Sequence, residues 1–255
     1  GDSLLCVTDE AAPTFYIAKH VTDDPAVGRD IGSLQSLWRA SEQTPENVLI
    51  DVGPLGTGED RYHLFRIVGR PYALSAKVLA GLNSTQKRQI INGIVGSIYT
   101  LHHFMPPLPH RGLRPGCYYV CRQGANCRAV LALFSTIKDN TAEKTVYGEL
   151  NSLLQNVTDR MYIAPELSGG SARPGELTKA DIYSLGMVLY WMMNMRTLPF
   201  LPFPPAIPTS TQRQEAAARR FSGESFPPPV NGTPELKAVV MKACAFSTEV
   251  CAGAC

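Results

Sequence analysis

The sequence carries no strong charge of either sign and no long hydrophobic run. Its 255 residues hold 24 Lys and Arg against 22 Asp and Glu, a net charge of +2. Such a balance makes no electrostatic case for binding nucleic acid or an anionic membrane. The richest apolar run, IYSLGMVLYWMM, is too short to span a bilayer and reads as a buried helix, so no transmembrane segment is expected. No signal peptide opens the chain, but Gly1 is not a natural start, so an upstream segment is expected to have been removed. No G-x-S-x-G elbow supports a hydrolase. His102, His103, His110, Cys117, Cys121 and Cys127 form no compact C-x₂-C or H-x₃-H pair, and no metal site is expected from them.

What is present suits a folded protein. An apolar content of 44% with 18% charged residues argues against global disorder, and the length allows one large domain or two small lobes. Seven cysteines raise the question of compartment. Cys121 and Cys127 flank RQGAN, a turn that could close a hairpin and bring the thiols together. Cys244, Cys251 and Cys255 cluster in the last dozen residues. Sequons begin at Asn83, Asn156 and Asn231. The favoured reading is a secreted protein with about two disulfides, Cys121–Cys127 and Cys244 with Cys251 or Cys255. Buried, reduced cysteines in a cytosolic protein are the plainer alternative.

The first third is strand-like. LLCVTD, FYIAKHV, VLIDVG and YHLFRIVG are short runs divided by turn formers. Between the second and third, Ile31, Leu34, Leu37 and Trp38 share one helical face, with Asp30 as N-cap. From Pro71 the pattern is helical: LSAKVLAGL, then TQKRQIINGIVGSIYTLHHF. Short strands return at Tyr118–Val120 and Ala129–Leu133. TKADIYSLGMVLYWMMN reads as a central helix, QRQEAAARRFS and TPELKAVVMKACAF as later ones. PFLPFPPAIP is a proline-rich loop, read as a surface connection in preference to a docking peptide. The expected class is α+β, with a sheet-rich part over 1–69 and a mainly helical part over 70–255.

Four motifs in order narrow this further. YIAK (Tyr16–Lys19) resembles the protein-kinase strand whose lysine pairs ATP phosphates. HRGLRP (from His110) resembles the HRDLKP catalytic loop, YIAPE (Tyr162–Glu166) the APE end of the activation segment, and DIYSLG (from Asp181) the helix supporting that loop. Any one is weak, but the ordered set spans nearly the whole chain. The resemblance implies a bilobal protein-kinase-like fold with a small β-rich N-lobe and a larger helical C-lobe.

The chemistry that this resemblance would require is depleted. A kinase loop uses an Asp as base and an Asn five residues on for magnesium; here they are Gly112 and Cys117. Gly112 cannot accept a proton, and a thiol suits magnesium badly. The DFG aspartate aligns with Leu133, which binds no cation. No GxGxxG precedes Lys19, so either that loop lies upstream of Gly1 or the fold begins at the second strand. Counting back from Pro45–Asn47 puts Gln35 where the lysine's glutamate partner should stand, so Lys19 is expected to snorkel to solvent. Architectural residues remain: His110, Arg111, Pro165, Glu166, and Asp181, which can hydrogen-bond loop backbone. The arginine partner of the APE glutamate would fall near Cys251, where a disulfide could take over.

The extra cysteines on a degenerate kinase-like domain resemble the rhoptry kinase-like family of apicomplexan parasites. That resemblance implies a secreted pseudokinase in the parasitophorous vacuole or cyst wall, binding protein partners, with no cofactor and no nucleotide. A nucleotide-binding allosteric pseudoenzyme and a passive wall component stay open beside it.

Overall fold

The computed structural model describes residues 3–7, 14–22, 25–40, 48–132, 160–168 and 177–245. The described residues build a mixed α+β protein with two small antiparallel sheets and several helices. They separate into two compact units. The first falls within Gly1–Leu108 and Pro115–Lys138, the second within Pro109–Arg114 and Asp139–Cys255.

In the first unit, β1 (Ser3–Val7), β2 (Thr14–His20), β3 (Ile50–Leu55) and β4 (Tyr62–Ile67) form a sheet in the order β1-β2-β4-β3. Their β-branched and aromatic residues alternate, which places Ile17, Phe65 and Ile67 on one face, each at most 1% exposed. Helix α1 (Pro25–Ala40) contributes Leu34 and Leu37, both 1% exposed. It starts a turn earlier than its apolar stripe suggests, because proline is well accommodated in a first helical turn. Asp30 is therefore an interior helix residue, not an N-cap.

The second sheet is β5 (Arg70–Ala73), β6 (Tyr118–Gln123) and β7 (Asn126–Leu131). Strand β5 lies where the sequence reads as the onset of helical structure. Helix formation begins only at α2 (Ala76–Ala80), capped by Ser75, and α3 (Ser84–His102), capped by Asn83 in a capping box with Gln86. Ile90, Ile94, Ile98 and Leu101 form the buried stripe of α3. Gly93 lets that helix approach β7 closely: a Cβ there would stand 3.1 Å from the Ala129 backbone. This packing holds α3 and the hairpin together, so the boundary expected near Gly69–Arg70 falls inside the first unit.

The described part of the second unit is helical. It comprises α4 (Pro165–Ser168), α5 (Leu177–Met193), α6 (Ser210–Phe221) and α7 (Pro234–Ala243). α5 is apolar on nearly every side and buried accordingly. α7 packs against it at Gly186, where an added Cβ would lie 2.7 Å from Cys244 Sγ and 2.9 Å from Ala243 Cβ. No helix among the described residues is long and apolar enough to cross a membrane.

Candidate functional site

Two polar constellations carry the residues that the sequence singles out, one in each unit. In the second unit, Asp181 lies in α5 at 1% exposure. Its carboxylate accepts the backbone N–H of His110 at 2.6 Å and of Arg111 at 2.7 Å. Two charge-assisted bonds from one carboxylate hold this turn of backbone rigidly. The grip is strong enough to keep Arg111 in the left-handed region, at φ 68, where a side chain is disfavoured. Gly112 follows, buried, its carbonyl accepting from the Arg114 guanidinium at 3.2 Å. The loop is thus held in shape around a position that has no side chain. Nothing at Gly112 can take a proton or orient a hydroxyl.

Residues 162–165 of the YIAPE stretch are buried. Met161 and Ala164 are fully covered, and Tyr162 and Ile163 are 4% exposed. Arg220 of α6 is only 2% exposed; it donates to the Tyr183 hydroxyl and, at 3.0 Å, to the Arg160 carbonyl. Its guanidinium also lies over the Phe221 ring at 4.5 Å. Sequence reasoning missed this brace, since nothing in QRQEAAARRFS marks one arginine as buried. Pro165 opens α4, while the Glu166 side chain lies outside the described residues. Leu133, Cys251 and Cys255 also lie outside them, so the proposed Cys244 pairings and the DFG-like position have no structural description. Cys117 ends the 3-10 turn Pro115–Cys117 of the first unit at 1% exposure, and its carbonyl accepts from Ala132 at 2.9 Å.

In the first unit Lys19 does not snorkel. It is 2% exposed, and its ammonium donates to Asp30 Oδ2 at 2.6 Å, the aspartate being 5% exposed. Gln35 is not the counterpart of Lys19. Five residues turn a helix by about 500°, so Gln35 points about 140° away from Asp30. Asp30 shares the inward stripe with Leu34 and Leu37, which is the signal that would have found it. Counting through the connection after α1 assumed a fixed length there.

Gln35 instead donates to Asp51 Oδ2 at 2.8 Å, and His63 Nε2 meets Asp51 Oδ1 at 2.5 Å. Burial works to raise the Asp51 pKa, but the hydrogen bonds from His63 and Gln35, with the His63 charge, bring it below the ordinary value. Lys19 and His63 are direct neighbours across β2 and β4, so both ion pairs occupy one side of the sheet.

The Cys121–Cys127 disulfide expected from the hairpin is absent; both thiols are free. In the ladder Cys121 faces Arg128 and Cys127 faces Arg122. That offset of one residue sends the two side chains to opposite faces of the hairpin. Burial pushes the Cys121 thiol up to about 12 and also raises Cys127. Such thiols are poor nucleophiles and poor metal ligands at neutral pH.

No protein-family model and no curated protein matches this chain.

Proposed function

We propose that this chain is a catalytically inactive pseudokinase, a bilobal protein-kinase-like fold retained as a protein-binding or scaffolding module. The observation that carries the reading is the loop at Gly112. Asp181 clamps the backbone of His110 and Arg111, while the adjoining base position is empty of any functional group. Maintaining that frame without its base fits a scaffold and not an enzyme. A general base contributes roughly 10²–10⁴ in rate, and Cys117 at the metal position deepens the deficit. The resemblance to the rhoptry kinase-like family extends the proposal to a secreted protein of the parasitophorous vacuole or cyst wall. With Cys121 and Cys127 unpaired, that location rests on the resemblance.

The Lys19–Asp30 pair favours a second reading. In kinases a strand lysine pairs with a helix carboxylate to hold ATP phosphates, and here Lys19 of β2 pairs with Asp30 of α1, a shorter carboxylate. A nucleotide-binding allosteric pseudoenzyme would use this pair. Against it stands the loss of the loop's metal ligand, Cys117 in place of an asparagine. A thermal-shift titration with ATP, with and without magnesium, decides between them. A ligand at 100 times its dissociation constant stabilises by about 2.7 kcal/mol. No shift at millimolar ATP is expected; a saturable, magnesium-dependent shift would establish the allosteric reading.

A further inference from the structure

The near-neutral total charge conceals a one-sided distribution. Between Asp60 and Asp139 the sequence contains no Asp or Glu, yet it holds eleven Lys and Arg. Within this stretch β5 and β6 place Arg70 directly opposite Arg122. Like charges facing each other across a strand pair are destabilising. Both side chains are exposed, and no carboxylate among the described residues meets either one. Instead both guanidiniums lie over one ring, that of Tyr72, at 5.6 Å and 5.7 Å from its centroid. Tyr72 is itself 36% exposed. Arg122 also lies against Gly81, and Lys77, one turn earlier in α2, is exposed. Strand β5 is an edge of its sheet.

We propose that Arg70, Tyr72 and Arg122 form a docking point for an extended Asp/Glu-rich segment of a partner protein. Each planar guanidinium presents paired donors to a carboxylate, and the exposed tyrosine ring supplies apolar contact between them. An edge strand suits an extended peptide lying alongside, with alternate side chains reaching the arginines. Bound carboxylates also relieve the repulsion of the cross-strand pair, which the free protein must tolerate. The inference deepens the protein-binding reading and rests on it for the nature of the partner.

The test is an anisotropy titration of a labelled Asp/Glu-rich peptide against the full chain, repeated with Arg70→Gln, Arg122→Gln and the double variant. Arg66→Gln, an exposed arginine of the other sheet, is the control. Saturable binding that weakens with salt is expected, falling about tenfold in each single variant and not in the control. Melting temperatures of the arginine variants should hold or rise, because repulsion is removed. Absence of wild-type binding, or an equal loss in Arg66→Gln, would overturn the site. So would a lowered melting temperature, which would make the arginines structural. Displacement by inorganic phosphate would reassign the docking point to a phosphoryl group, and displacement by duplex DNA to a general polyanion field; either result overturns the proposal. The ATP titration on the same samples reports on the pseudokinase reading separately, so failure of one is distinguishable from failure of the other.

Discussion

Replacing Asp30 by Asn leaves the Lys19 ammonium buried opposite a neutral amide. The pair is 2.6 Å apart, and its side chains are only 2% and 5% exposed. Removing one member of a buried pair typically costs about 3–5 kcal/mol. That is a large share of the roughly 5–15 kcal/mol that holds a folded domain. At a urea slope of about 2 kcal/mol per molar, the midpoint should fall by about 1.5–2.5 M. The two tryptophans allow the units to be followed separately, because Trp38 lies in α1 and Trp191 in α5. A Trp191→Phe background therefore makes urea-dependent fluorescence report the first unit alone. Gln35→Leu supplies the comparison, as its part-buried bond to Asp51 should be worth only about 1 kcal/mol. The double variant Lys19→Met/Asp30→Leu should recover most of the loss, because apolar replacements of a buried pair are often neutral or better. A loss below about 1 kcal/mol in Asp30→Asn, or a larger loss in Gln35→Leu, would refute the assignment of Lys19's partner.

Three further outcomes are expected. On the pseudokinase reading proposed above, Gly112→Asp would restore a base but leave Leu133 and Cys117 at the metal positions, so a radiolabelled ATP assay should detect no phosphate transfer above an inactive control. The folded-state pKa of Asp51 is depressed, so its contribution to stability is present above the ordinary value of 3.8 and disappears as pH falls through the lower folded value. The stability gap between wild type and Asp51→Asn should accordingly shrink below that pH, and a gap that widens on acidification would reverse the sign of the argument. Cys121 and Cys127 should resist alkylation in the native protein at neutral pH and react once it is unfolded; a native disulfide found by non-reducing peptide mapping would contradict the ladder register.

Periodicity made the long elements legible without coordinates. The stripe of Ile90, Ile94 and Ile98 and the all-round apolar surface of α5 are local patterns, set by 3.6 residues per turn and the need to bury one face or all of them. The strands of the first sheet follow from alternation in the same way. The HRGLRP and DIYSLG stretches also marked Asp181 as a residue able to bind loop backbone, although the two lie 70 residues apart.

What sequence could not decide were choices between nearby candidates, which depend on direction in space. Asp30 and Gln35 are both polar residues of one helix, and only the packing of α1 on its sheet turns the first toward Lys19 and the second toward Asp51. Cys121 and Cys127 look well spaced for a bridge, but the hairpin register sets them one place out and on opposite faces. RPYA carries too few residues to announce a strand, and becomes one because β6 offers its free edge. Arg70 and Arg122, 52 positions apart in the chain, meet for the same reason. Local pattern determines which elements form; ladder register and helix rotation determine which side chains face one another, because those depend on partners distant in sequence.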